Sequence, residues 1–371
     1  MRICFVIGSL ACGGAERQLI NLAKGLRQRK HDIHIVSLKP LDKENPLACE
    51  SGLHYHSLSI HGGREMAFGI PSLVSLFYRL RPHIIHSYLP LSNVLMAALK
   101  PFIPKHKLVW GIRDSLATWG GYSLKTRTIA SLERLLSQVP HRIIVNSHTG
   151  QKNLHTRGYR APQEIIPNGI DTDFFCPGHS QFRQSLGISH ENILIGMVTR
   201  VQRIKNIERF IAAAAHVSRA NSTVRFVLVG SGDKDYKEKL EKMVESQGLS
   251  SVFHFYPHIT NPVAIYRSLD IHVLTSVAEG FPNTLCEAMA CGVPCASAQV
   301  GDASAIIGAH GETFNPSTTL SVVNAITLLV KRIQGDKENI RNQCRNHITD
   351  NFTCERLVKR TEHVLQQILR S

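Results

Sequence analysis

The chain alternates short, continuously apolar runs with helical patterns, and it does so twice. Arg2-Ile-Cys-Phe-Val-Ile-Gly8 opens the first series and a helical pattern follows from Ala15 to Lys30. Strand patterns recur at Asp32–Leu38, His54–Ile60, His83–Leu89, Lys107–Arg113 and His141–Ser147. After a turn-rich stretch, Phe174–Gly187, the alternation restarts with strands at Ile193–Thr199, Val224–Gly230, Val252–Pro257, Ile271–Ser276 and Val293–Ala298. From Ser317 onward only helical patterns remain. Strands without a polar alternate row are buried on both faces, which is the condition of a parallel sheet sandwiched by helices. A length of 371 residues suits two such units. The expected fold is α/β, with two doubly wound, Rossmann-like domains facing across a cleft. Their expected extents are residues 1–165 and 191–350, with a linker at 166–190 and a last helix, about 351–371, packing back on the first domain.

Charge and cysteine content narrow the function classes. The net charge is +15, and it is unevenly placed. Residues 1–165 hold 22 Lys and Arg against 9 Asp and Glu, whereas the rest hold 21 against 19. Such asymmetry points to an anionic partner for the first half. The nine cysteines include no C-x-x-C pair, so neither a zinc site nor a disulfide framework is indicated, and a reducing cytoplasm fits. The N-terminal apolar run is too short for a signal-peptide core, and no segment approaches the roughly 18 apolar residues of a spanning helix.

In doubly wound sheets ligands bind beyond the carboxyl ends of the strands, so the loops after strands are the ones to read. The first, Gly8-Ser-Leu-Ala-Cys-Gly-Gly-Ala-Glu-Arg17, opens a helix; Gly13 and Gly14 permit positive φ and let a ligand approach the backbone. It is neither a P-loop nor G-x-G-x-x-G. The second, Thr199-Arg-Val-Gln-Arg-Ile-Lys-Asn206, sets Arg200 and Lys205 just past a strand, where two cations suit a diphosphate; Arg203 is expected to face solvent. Val229-Gly-Ser-Gly-Asp233 brings a second flexible turn to the same end.

The third loop, Ser276-Val-Ala-Glu-Gly-Phe-Pro-Asn-Thr-Leu-Cys-Glu287, is the most informative. Pro282 suits the start of a helix, Asn283 or Thr284 its cap, and Gly292 and Pro294 its end. Glu279 then lies on the loop and Glu287 about one turn into the helix, both able to accept hydrogen bonds from sugar hydroxyls, with backbone N–H groups between them for a phosphate. Asp171-Thr-Asp173 reads as turn chemistry rather than a metal site, and the 20 histidines show no ligand spacing.

These residues resemble a known family. Glu279 and Glu287 within EGFPNTLCEAMACGVP look like the Glu-x7-Glu signature of the retaining glycosyltransferases of family 4, which have the GT-B fold. GGAER at 13–17, PNGID at 167–171 and the Arg200–Lys205 pair occur in the expected order, so the resemblance covers nearly the whole chain. It implies that Arg200 and Lys205 bind the donor diphosphate and stabilise charge on the departing phosphate. It implies that Glu287 holds the nucleotide ribose, and that Glu279 with the backbone of Gly280, Phe281, Pro282, Asn283 and the adjoining Thr284 holds the donor sugar. Gly13 and Gly14 would line the cleft near donor phosphate and acceptor. Many members carry a histidine after the strand equivalent to Lys107–Arg113; here the place reads Trp110-Gly-Ile-Arg-Asp114, so Arg113 or Asp114 is the candidate for acceptor-side positioning, with His86 as a candidate wall residue.

The implied reaction moves a hexose or N-acetylhexosamine from a nucleoside diphosphate sugar, with UDP-sugar the expected donor from family frequency, to a glycan or polyprenyl-linked acceptor in cell-surface polysaccharide synthesis. No cofactor and no metal is expected for the chemistry. The basic first half, with Lys125, Arg127 and Arg134 on the amphipathic stretch Tyr122–Leu136 beside Trp119, suits an anionic inner-membrane surface, with apolar and basic surface added by Phe68–Leu80 and Leu91–Lys107. The expected location is the cytoplasm, peripherally on the inner face of the membrane. A sugar-nucleotide epimerase of similar architecture is the alternative enzyme. A non-enzymatic nucleic-acid binder fits the charge but lacks any nucleic-acid module, so nucleic acid is not an expected partner.

Overall fold

In the computed structural model, residues 1–10, 13–40, 52–58, 64–113, 123–257 and 261–371 are described. The chain divides into two compact units, Met1–Gly169 with Cys354–Ser371, and Ile170–Thr353.

The first unit holds strands β1 (Arg2–Ile7), β2 (Asp32–Ser37), β3 (His54–Ser57), β4 (Ile84–Tyr88), β5 (Lys107–Ile112), β6 (Arg142–Val145) and β7 (Gln163–Ile165). They form one sheet in the order β3-β2-β1-β4-β5-β6-β7, every pair parallel. Side chains alternate between two apolar layers. Ile3, Phe5 and Ile7 enter one core, and Cys4 and Val6 the other. Each layer is closed by helices, so the central strands carry no solvated row, whereas at the edge His34 of β2 stacks with His54 and His56 of β3, a strand that is only partly buried.

The C-terminal helix, Cys354–Arg370, completes this unit. Leu357, Val358, Val364, Leu365 and Ile368 recur at helical spacing and join the core of Ile3 and Phe5. The helix packs on helix Gly14–Gln28, where Gly25 makes room: a Cβ there would collide with Val358 Cγ2.

The second unit holds β8 (Ile193–Val198), β9 (Val224–Val229), β10 (Phe253–Tyr256), β11 (Ile271–Leu274), β12 (Cys295–Ala298) and β13 (Glu312–Phe314), in the order β10-β9-β8-β11-β12-β13, again all parallel. Ile195 and Met197 face one core, Leu194 and Val198 the other. The long helix Thr319–Asn351 serves both. Asp336, at φ −153 and ψ 83, breaks its helical path, and its carboxylate accepts from Asn339 N to start a second helical segment. Before the break Ile326, Leu329 and Ile333 pack on one face of the sheet; after it Ile340, Cys344 and Ile348 pack on the other.

Three features depart from the sequence reading. β7 and β13 have three residues each, too short to show a period. The stretch 166–190 is not a free linker. From Ile170 on it belongs to the second unit, with Phe175, Phe182 and Ile188 buried in its core and Arg183 ion-paired with the buried Asp270. Turn residues there outnumber the apolar anchors, which is why the pattern looked like a linker. Finally, Ile170 and Thr353 are bridge partners, so the chain leaves the first unit and returns to it at adjacent points.

The contact at Gly25 gives a stability test. Gly25→Ala improves helix propensity yet is expected to destabilise by about 1–3 kcal/mol through overpacking. Adding Val358→Ala should recover part of that loss, measured by urea unfolding.

Candidate functional site

In each sheet the strand order reverses once, between β1 and β4 and between β8 and β11, where the connections leave in opposite directions. Loops leaving the carboxyl ends of such neighbours diverge and open a crevice. In the second unit these loops contain Arg200 and Lys205 after β8, and Ser276 and Glu279 after β11.

Lys205 and Glu279 meet there. Lys205 Nζ lies 2.6 Å from Glu279 Oε1, which also accepts from Ser276 Oγ at 2.7 Å. The backbone under this pair is pinned from both sides. Thr275 Oγ1 donates to the carbonyls of Lys205 (3.0 Å) and Asn206 (2.9 Å), and Val277 N donates to Ile204 O. Asn206 takes the left-handed conformation, φ 49, which asparagine tolerates better than most residues, and so turns the chain into helix Ile207–Ala220. Arg200, two residues past β8 on the same loop, is exposed and has no ion-pair partner among the described residues. Arg203 is exposed as expected, but its guanidinium stacks over the Tyr236 ring, 5.3 Å from the centroid and inside the roughly 6 Å limit of such contacts.

Glycines let the neighbouring loops close in. A Cβ on Gly230, which has φ 151, would strike Thr199 O. Gly301, at φ 54, lies against the backbone of Glu279 and Gly280; its Cβ would come within 2.6 Å of Glu279 O. Asp302 N donates to Gly280 O at 3.2 Å. The loop after β12 therefore braces the Glu279 turn. Gly301 escaped the sequence reading, although a glycine on the short loop after a strand is its available signal.

Helix Asn283–Ala290 follows. Its N-cap is Pro282, with no side-chain cap hydrogen bond, so neither Asn283 nor Thr284 serves as the expected cap: both already lie inside the helix. Phe281 turns its ring into the core, 5.8 Å from Phe352, and leaves only its backbone to the loop. Glu287 is 6 % exposed, and Tyr266 OH donates to its Oε2 at 2.9 Å. Tyr266 had no local sequence signal; it comes from helix Pro262–Ser268, brought alongside by the fold. Gly292 has φ 79 and ends the helix as read, and Arg345 Nη1 donates to Ala290 O at its C-terminus.

In the first unit Gly13 is the N-cap of helix Gly14–Gln28, at φ −108, and Gly14 is helical. Neither uses the positive φ that the sequence reading allowed them. What a side chain at Gly13 would meet is the Glu16 carboxylate, folded over the helix start. Gln18 was not anticipated. Its amide donates to Gly169 O (2.8 Å) and accepts from Gly169 N (3.0 Å), clipping this helix to the Pro-Asn-Gly-Ile-Asp stretch. Arg113 binds the same stretch: Nη1 donates to Asn168 Oδ1 at 3.1 Å and Nη2 to Tyr88 OH at 3.0 Å. Asp114, Trp119 and Tyr122 lie outside the described residues.

His86 is not a wall residue. It sits within β4, fully buried between Phe5 and Tyr88, with ring centroids at 5.4 and 4.7 Å. Burial, and then the Arg113 charge, hold its pKa well below the ordinary 6.5. Asp171 Oδ1 accepts from the N–H groups of Asp173 and Phe174, a turn as read.

Structural comparison gives the fold. The chain has the GT-B glycosyltransferase fold: HepE from Anabaena, in complex with UDP and glucose, superposes with a TM-score of 0.87 at 22 % identity, over 99 % of this chain and 100 % of that one. Residues 179–347 match the family profile "Glycosyl transferases group 1" and residues 12–174 match "Glycosyltransferase Family 4". The chain belongs to this glycosyltransferase family. It is 32 % identical to the putative glycosyltransferase EpsF of Bacillus subtilis, over 39 % of this chain and 37 % of that protein. It is 24 % identical to the N-acetyl-alpha-D-glucosaminyl L-malate synthase of Bacillus anthracis, over 96 % and 95 % of the two. The matches at 30–32 % identity span little more than a third of the length of those curated relatives.

The buried histidine gives a pH test. The unfolded chain takes up a proton near pH 6.5 that folded His86 refuses, so stability is full above that pH and falls below it. The slope is at most about 1.4 kcal/mol per pH unit for one such group. His86→Leu should lose less stability than the parent between about pH 7.5 and about pH 5, read from urea midpoints; equal losses would assign the acid sensitivity elsewhere.

Proposed function

We propose that the protein is a retaining glycosyltransferase that moves a hexose or N-acetylhexosamine from a UDP-sugar to a glycan or lipid-linked acceptor. The observation that supports it most is the Lys205–Glu279 pair at the β8/β11 reversal, braced by Ser276, Thr275 and Gly301 beside a helix N-terminus without a side-chain cap. The ammonium has three donors and gives one to Glu279, leaving two for the donor diphosphate. Arg200, exposed on the same loop, adds a guanidinium fork. Glu287, held by Tyr266, is the acceptor for the ribose hydroxyls, and Glu279 with the Gly280–Asn283 backbone takes the sugar.

The step balances without a metal or a protein nucleophile. The acceptor hydroxyl oxygen bonds to the anomeric carbon as the bond to the β-phosphate oxygen breaks on the same face. The hydroxyl proton passes to the leaving phosphate, and Lys205 and Arg200 stabilise the charge gathering there. UDP named with HepE supports uridine as the base.

Membrane docking of the first unit belongs to the same reading. Helix Leu124–Leu135 buries only Ala130 and Glu133 among its fully enclosed side chains, with Glu133 bonded to Asn93 and Tyr159. Leu124 is 80 % and Leu135 69 % exposed, on a helix that also bears Lys125, Arg127 and Arg134. Exposed Phe102 lies on the turn after the adjoining helix Pro90–Leu99. Apolar and basic side chains on one exposed helix suit an anionic bilayer surface. No helix among the described residues is long and apolar enough to cross a membrane.

Lys205→Ala should lower kcat by about 10²–10³-fold with the melting temperature little changed, whereas Glu287→Gln should weaken UDP binding about tenfold or more by calorimetry. Unaltered turnover in the first, or unaltered UDP affinity in the second, overturns that residue's role. Leu124→Ser with Leu135→Ser should reduce co-sedimentation with phosphatidylglycerol vesicles and leave turnover on a soluble acceptor unchanged.

A further inference from the structure

At the amino ends of β8 and β11, the edge of the second sheet opposite to Lys205 and Glu279, lies a cavity of about 160 Å³. Its lining includes Arg183, Arg267, Lys337 and Arg341, with Asp270 as the one carboxylate among the lining residues. His179 and His190 stand exposed at its rim. Four full cations therefore share a small space with one anion.

The carboxylate is already committed. Asp270 Oδ2 accepts from Arg183 Nη2 and from Leu194 N at 2.8 Å, and Oδ1 pairs with Lys337 Nζ at 2.7 Å. Arg183 is buried and its remaining donors go to the carbonyls of Ser268, Ser189 and Asn192. The Asp270–Arg183 pair is thus complete and holds the floor in place. The other cations are not satisfied in this way. Arg267 is anchored through Nε on Cys176 O (2.8 Å) and Nη2 on Cys176 Sγ (3.1 Å), and its Nη1 has no partner among the described residues. Arg341 makes one long bond, Nη2 to Cys291 O at 3.4 Å. Lys337 is half exposed and gives one of its three donors to Asp270.

The break at Asp336 builds this arrangement. It restarts the helix so that Lys337 and Arg341, one turn apart, face the cavity while Ile340 and Cys344 face the core. Packing therefore fixes where these two cations point. A small anion with several acceptor oxygens relieves their repulsion and takes up the donors of Arg267, Arg341 and Lys337 together. The volume lies below the roughly 300 Å³ of ordinary small-molecule pockets, which suits a single phosphate group.

We propose that this cavity binds a phosphate group, free or as the end of a small phosphomonoester, at a site separate from the donor site. Arg341 also reaches the C-terminal end of helix Asn283–Ala290, which carries Glu287, so the anion would sit at the far end of the donor helix.

The test titrates inorganic phosphate and glycerol 3-phosphate, at constant ionic strength with chloride, into the full chain and its variants, read by calorimetry and melting temperature. Binding should persist in Lys205→Ala and weaken about tenfold or more in Lys337→Gln/Arg341→Gln. Tighter binding of glycerol 3-phosphate than of phosphate identifies an organic phosphomonoester, and the reverse identifies the free ion. Loss of binding in Lys205→Ala, parental affinity in the double variant, or a response to chloride equal to that to phosphate overturns the proposal. Arg341→Gln alone, which removes only the long bond to Cys291 O, provides the same test should the double variant fail to fold.

Discussion

A parallel sheet covered on both faces leaves the interior of its central strands no position for a solvated side chain, and the placement of the charged clusters in this protein follows from that exclusion. Leu194, Ile195, Met197 and Val198 fill alternate cores, as do Ile3, Cys4, Phe5 and Val6. Charged groups are driven to the strand ends. At the carboxyl ends of β8 and β11 they form the Lys205–Glu279 pair, and at the amino ends the Asp270–Arg183 pair with its ring of further cations. His86 and His272 are polar side chains that remain inside, and burial keeps both neutral by lowering their pKa, that of His272 to about 4.

The strand ends are not equivalent. At the carboxyl ends the loops are braced by close backbone approach, Gly230 on Thr199 and Gly301 on Glu279, and by the Thr275 hydroxyl on the carbonyls of Lys205 and Asn206. That bracing sets the loop geometry before any ligand arrives, which is what the proposed stabilisation of a leaving phosphate needs. At the amino ends a side chain, Arg183, does the tying by reaching the carbonyls of Ser189, Asn192 and Ser268. Breaking that buried pair by removing one partner costs about 3–5 kcal/mol, so the segment around 178–190 is structural at the same time as it borders the cationic cavity.

The first unit shows how distant segments share one task. Gln18 and Arg113, far apart in sequence, both hold the stretch from Asn168 to Gly169 where the chain leaves the unit. The C-terminal helix then returns and closes the core over Ile3 and Phe5. Because Gly25 admits Val358, the last residues of the chain stabilise the first helix.

Much of this was legible in the residues themselves. Uninterrupted apolar strands require burial on two sides, which sets the fold class, and the rule that ligands bind beyond the carboxyl ends of strands makes Arg200, Lys205, Glu279 and Glu287 the candidates. The local pattern also gave the final helix, but its packing on the first core, through Leu357, Val358, Val364 and Leu365, came only from the structure. Beyond local pattern the residues were silent. Nothing near Tyr266 marks it as the partner of Glu287, nothing near Gln18 points to Gly169, and the turn-rich stretch after residue 170 conceals Phe175 and Phe182 as core residues. His86 looked like a wall residue because a histidine at a strand is read as polar, whereas its surroundings make it a core side chain. Sequence determines periodicity and chemistry along the chain; which loop braces which, and which charges end up paired or crowded, depends on contacts between residues far apart in sequence, and only the tertiary structure decides those.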